Sequence, residues 1–158
     1  IATLDVVDNP TDLVVGPAGE LFLISMGNYA DVINTLQEIN KSTYEVKKVT
    51  DTPITMMDMG PDGKLYFISA QYGYECMVGT YSPTSKSFDF NFITDGTTFV
   101  NTPMSISVDP VTADVYIGTS DYVTEGDMYV FSKDGKLKNK FGTGGLNPIG
   151  TYFLSNAN

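Results

Sequence analysis

The sequence predicts an all-β chain made of β-propeller blades, each of four antiparallel strands, and three observations predict it. Four similar segments open on a proline, at Pro10, Pro53, Pro103 and Pro148, with spacings of 43, 50 and 45 residues. A fixed period of about 40–50 residues built from short strands is the mark of a propeller blade. Each of the first three segments then runs through a tight turn into a solid apolar run. No segment carries a helical period; Asp31 to Ile39 comes nearest, and it reads as a loop entering a strand.

The elements follow in order. The first turns are Gly16-Pro17-Ala18-Gly19, Gly60-Pro61-Asp62-Gly63 and Asp109-Pro110-Val111-Thr112. Proline presets one φ and glycine or aspartate supplies the corner, so each turn joins two antiparallel strands, A and B. Strand B is apolar throughout, over Leu21 to Ile24, Leu65 to Ile68 and Val115 to Ile117. Uninterrupted runs of this length suit strands covered on both faces, as inner strands of stacked blades are. A second hairpin, C to D, turns at Asn40-Lys41-Ser42-Thr43, at Ser82-Pro83-Thr84-Ser85 and at Lys133-Asp134-Gly135. The final strands alternate, with Phe88, Phe90 and Phe92 expected on one face and Asp89 and Asn91 on the other. Lys47, Lys48, Lys138 and Lys140 mark strand D as the outer edge, where charge discourages pairing with another molecule. The 15 glycines and 8 prolines are turn punctuation, not a linker.

Blades are thus expected at residues 10–50, 53–94 and 103–142, flanked by lone strands at 1–7 and 148–154. A chain of 158 residues suffices for one domain that buries roughly 70% of its unfolded surface. Three blades fall short of the about four that a ring needs. The expectation is therefore a fragment of a larger propeller, or a half that self-associates with a second copy.

Composition removes several function classes. Net charge is −10, from 9 cationic and 19 acidic residues, and every cation is a lysine. Such a chain is a poor nucleic-acid binder, since phosphate contacts need clustered cations. Lys133, Lys136, Lys138 and Lys140 are the one cluster and read as an exposed hairpin. The absence of histidine excludes Ser-His and Cys-His nucleophilic systems and most transition-metal sites. The single cysteine, Cys76, excludes an internal disulfide and reads as a small buried hydrophobe in strand C. Asp5, Asp8 and Asp12 read as strand-end and turn chemistry. Asp58 to Gly63 lacks the spacing of a calcium loop, and Gly142, Gly144 and Gly145 form no phosphate-binding fingerprint. Asn40-Lys41-Ser42 matches a glycosylation pattern but reads as a turn. No apolar run reaches 18 residues. No catalytic residue, metal ligand or cofactor site is expected, and the chain is read as no enzyme.

The suggestive feature is positional. In a propeller the B–C loops emerge on one face together with the D–A connections. Here the A–B turns are short, whereas the B–C loops are long and rich in tyrosine and carboxylate. The candidate ligand-binding residues are Asn28, Tyr29 and Asp31 in the first loop, Gln71, Tyr72 and Tyr74 in the second, and Asp121 and Tyr122 in the third. Tyrosine offers a flat face and a hydroxyl at little entropic cost, which suits recognition. Long loops on a rigid scaffold are where binding commonly resides. The alternative is that these tyrosines only pack the loops onto the sheets.

The repeated unit, a Pro-x-x-apolar strand, then Gly60-Pro-Asp-Gly-Lys-Leu-Tyr66, then a Tyr81-Ser-Pro-Thr-Ser-Lys86 hairpin, resembles the YncE-like propellers. It looks most like exported seven-bladed lipoproteins of gut Bacteroidetes, some of which capture vitamin B12 and pass it to an outer-membrane transporter. The resemblance implies export to the periplasm or cell surface, a membrane tie only through a lipid anchor, and a small-molecule ligand such as cobalamin. It also implies a non-catalytic role, either in capture of a corrinoid or other bulky polar nutrient or as a protein-interaction scaffold of an uptake complex. No corrinoid-contacting residue is matched individually.

Overall fold

The computed structural model describes residues 3–28 and 30–154. The described residues contain strands, turns and loops and no helix, in three four-stranded antiparallel sheets. Sheet one comprises β1 (Pro10–Val15), β2 (Leu21–Ser25), β3 (Thr35–Ile39) and β4 (Val46–Lys48), paired in that order. Sheet two comprises β5 (Met56–Met59), β6 (Leu65–Ser69), β7 (Met77–Ser82) and β8 (Ser87–Asp89). Sheet three comprises β9 (Thr102–Val108), β10 (Val115–Ser120), β11 (Asp127–Phe131) and β12 (Leu137–Gly142). Each is an up-and-down meander, and no closed ring forms among the described residues.

The three first hairpins close with the same kind of turn, the third one residue longer than the other two. Gly19 donates its N–H to Gly16 O at 2.9 Å, Gly63 donates to Gly60 O at 3.0 Å, and Ala113 donates to Asp109 O at 2.9 Å. All three donors lie in the left-handed region, at φ +83°, +76° and +60°. Tyr44 (φ 60°), Lys86 (φ 54°) and Gly135 (φ 72°) recur in the same way in the β3–β4, β7–β8 and β11–β12 turns. The repeat is thus kept in backbone geometry even where the side chain changes.

The sheets stack through two apolar cores. Between sheets one and two lie Phe22, Ile24 and Leu36 against Met57, Leu65, Phe67 and Tyr81. Between sheets two and three lie Tyr66, Ile68, Val78 and Phe92 against Ile106, Val115, Ile117 and Phe131. Alternation along β6 sends Leu65 and Phe67 to the first core and Tyr66 and Ile68 to the second, so this strand is buried on both faces. The first strands approach one another, β5 lying against β1 on one side and β9 on the other.

Polar bonds join the same strands. Asp58 on β5 accepts the backbone N–H of Val108 on β9 at 2.7 Å through Oδ2. Register places Ser107 of β9 where β5 has Asp58, since each is one residue before the strand's last ladder pair. Ser107 Oγ in turn accepts the N–H of Thr151 at 3.1 Å, and Ser105 Oγ donates to Pro148 O at 2.6 Å. One position therefore reaches to the following segment in both sheets.

The lone strands expected at residues 1–7 and 148–154 pair with no neighbouring strand over the described residues 3–7 and 148–154, and two other sequence readings are corrected. Val7 instead donates its N–H to Gln37 Oε1 at 2.9 Å, and 148–154 is tied by the Ser105 and Ser107 hydroxyls; side chains take the bonds that a neighbouring strand's backbone would make. Phe88 and Phe90 share a face, stacked 5.2 Å apart and both edge-on to Phe67, but Phe92 does not join them. The ladder of β8 ends at Asp89, and beyond it the chain crosses over so that Phe92 enters the second core, while Phe88 packs on the first. Cys76 is exposed and precedes β7 instead of lying buried within it. The edge assignment holds for Lys47, Lys48, Lys138 and Lys140, all on β4 or β12 at a sheet margin.

Candidate functional site

A meander puts its β2–β3 type loops and its exit connections at one end, opposite the tight turns. The contacts at that end join one loop to the next and a loop to its own exit connection. The N–H of Asn34, in the β2–β3 loop, donates to Gln71 Oε1 in the β6–β7 loop at 2.9 Å. In sheet three, Gly126 of the β10–β11 loop donates to Gly145 O at 2.8 Å, and the Oγ of Ser120, the last residue of β10, bonds to Leu146 O and Asn147 Oδ1 at 2.8 and 2.6 Å.

Three depressions open among these segments. A groove of 530 Å³ lies between the first two loops and is lined by Met26, Val32, Ile33, Asn34, Met56, Gln71 and Tyr72, among others. A second, of 480 Å³, lies between Cys76–Val78 and residues 97–103. A third, of 360 Å³, lies between the β4–β5 connection at Asp51–Pro53 and the β6–β7 loop at Tyr74–Glu75, with Ser69 and Met77 completing the wall.

The candidate residues divide by what they do. Gln71 and Tyr72 are brought together on the first groove, where Gln71 bridges two loops and Tyr72 is 100% exposed. Tyr74, half exposed, belongs to the third depression. Asn28 and Asp31 hold their own loop: Asn28 Oδ1 accepts the N–H groups of Ala30 and Val32, both at 3.0 Å, and Asn28 Nδ2 donates to Asp31 Oδ1 at 2.8 Å. That donation holds the Asp31 carboxyl below its ordinary pKa. Asp121 does the same in the third loop, accepting from the backbone of Val123 and Thr124 and from the Thr124 hydroxyl at 2.8–2.9 Å. Its pKa is pulled down to about 2 by these bonds, the Thr124 N–H foremost. Tyr122 sits at φ 64° and is exposed, and neither it nor Asp121 lines the three depressions. Tyr29 lies outside the described residues.

Sequence reasoning missed the apolar floor of the groove and the hydroxyl of Ser69. Met26, Val32 and Ile33 come from a loop that read as polar recognition surface. The Ser69 position left a trace, because Ser25, Ser69 and Thr119 stand four residues after the first residue of the second strand in each sheet. Among the described residues no group of three or more histidine, cysteine or carboxylate side chains is arranged to hold a metal ion. No helix of the described residues is long and apolar enough to cross a membrane. Neither a scan against protein-family models nor a search of curated proteins gives a match.

Proposed function

We propose that the three sheets are blades of a β-propeller of the YncE-like kind and that the chain is a binding module without catalytic chemistry. Its ligand is a bulky polar molecule, a corrinoid in the first instance, taken up on the loop-bearing end at the periplasmic or outer surface of a cell. The observation that carries the reading is the groove between the first two loops, whose rim is a fully exposed tyrosine and whose floor is apolar. The Asn34–Gln71 bond fixes its two walls before any ligand arrives, which lowers the ordering cost of binding. Tyr72 supplies a stacking face, and the amides of Asn34 and Gln71 lie beside it. A corrinoid overfills this groove, so it would rest one edge there and lean on the neighbouring loops. The lipid anchor and the outer-membrane transporter belong to this proposal as its cellular setting.

Calorimetric titration with cyanocobalamin tests it. Binding at micromolar concentration is expected, and Tyr72→Ala should weaken it about tenfold with the fold intact, since an exposed ring contributes nothing to the core. No heat and no spectral shift of the corrinoid would overturn the reading.

A further inference from the structure

The third depression carries a site of different chemistry. Ser69 lines it, is 1% exposed, and its Oγ has no hydrogen-bond partner. The equivalent hydroxyls are satisfied in the other two sheets. Ser25 Oγ accepts from Gln37 Nε2 at 2.9 Å, and Thr119 Oγ1 donates to Asp127 O at 3.5 Å. Sheet two lacks the first of these solutions because Gly79 stands in β7 where β3 has Gln37, as the ladder partners Phe67 and Leu23 show. No side chain larger than hydrogen fits there: a Cβ on Gly79 would come within 2.5 Å of Asp89 O and of the Phe67 ring. A buried hydroxyl without a partner is uncommon in folded chains, and a polar group arriving from outside would satisfy it.

The walls say what that group carries. Glu75 makes no ion pair among the described residues, and Asp51 holds Lys48 at 2.7 Å. Tyr74 presents a half-exposed ring beside Glu75, and Pro53 and Met77 supply apolar contact. A carboxylate and a tyrosine ring that line one depression favour a cation, and the buried hydroxyl asks for a second polar group a few bonds away. We propose that this depression binds a small organic ammonium bearing a hydroxyl, with the ammonium between Glu75 and Tyr74 and the hydroxyl on Ser69 Oγ. The proposal is independent of the corrinoid reading, because it uses a different depression.

The test is an amide-resolved NMR titration of the whole chain with ethanolamine, ethylamine and glycolate. Ethanolamine is expected to shift the amides of Ser69, Tyr74, Glu75 and Met77 saturably, ethylamine to bind about three- to tenfold more weakly, and glycolate not at all. Ser69→Ala should bring ethanolamine down to the ethylamine affinity and leave ethylamine unchanged, while Glu75→Gln weakens both. Ser69→Ala should also leave the unfolding midpoint unchanged or raised, since it removes an unsatisfied group. Absence of saturable shifts, equal affinity for glycolate, or a lowered midpoint in Ser69→Ala would each overturn the proposal, and a cyanocobalamin result of either sign leaves it standing.

Discussion

Asp58 is the side chain whose removal tests the stacking of the sheets most directly. Its Oδ2 accepts the Val108 N–H at 2.7 Å across the gap between sheets two and three, and its Oδ1 accepts the Met59 N–H at 2.8 Å. In Asp58→Ala the Val108 N–H is left without a partner in a residue only 4% exposed, a loss of about 1–3 kcal/mol. Met59 is only half-buried and can turn to water, so it adds little. The offset is removal of a half-buried carboxylate, so the expected net cost is about 2 kcal/mol. For a chain of this length that lowers Tm by about 4–8 °C. Burial is the largest influence on the Asp58 carboxyl and holds its pKa above the ordinary 3.8, against the pull of the Val108 and Met59 N–H groups. A raised acid contributes stability that is complete below pH 3.8 and is lost as pH rises through the folded value. Asp58→Asn does not titrate, so the stability gap between wild type and this variant should be widest near pH 3 and narrow above it. Urea unfolding at pH 3, 5 and 7 measures both effects. A cost under about 0.5 kcal/mol for Asp58→Ala, or a gap that widens with pH, would refute the reasoning.

Three further substitutions address the turns and the core. Gly135→Ala drives a Cβ into the Phe92 carbonyl oxygen at a residue with φ +72°, and unfolding by denaturant should show a loss of about 3 kcal/mol or more. Lys86→Gly should instead stabilise by about 0.5–1 kcal/mol, because a non-glycine side chain at φ 54° is relieved by more than the added chain entropy costs. Tyr66→Phe removes the hydroxyl that donates to Asp62 Oδ2 at 3.0 Å and should cost about 1 kcal/mol. Burial, reinforced by Asp62, pushes the Tyr66 hydroxyl well above the ordinary 10.0. An ultraviolet titration to pH 11 should therefore give the same phenolate amplitude in wild type and Tyr66→Phe.

Much of the fold was legible because local rules wrote it. Gly19, Gly63 and the Asp109 turn declared their hairpins, and the apolar runs at Leu21, Leu65 and Val115 declared strands covered on both sides. Each misreading has its own physical cause. Period-two alternation holds only while a strand stays in its ladder, so Phe92 was misassigned once the chain left β8. Cys76 looked buried because apolar Met77 and Val78 follow it, yet the start of β7 falls one residue later. In the candidate site, Asn28, Asp31 and Asp121 looked like recognition residues, whereas short polar side chains in loops readily bond their own backbone, as these do.

By itself the chain's order of residues determined three hairpin-built repeats, their strand boundaries to within a few residues, the charged outer edges and an inventory of side chains poor in nucleophilic chemistry. Only the tertiary structure decided which loops meet, that Gln71 clasps Asn34, that Asp58 ties β5 to β9, and that Ser69 has no partner. The physical reason is range. Turn and strand preferences act over a few neighbouring residues, whereas a groove or an unsatisfied hydroxyl depends on which atoms from distant segments fill the space around it.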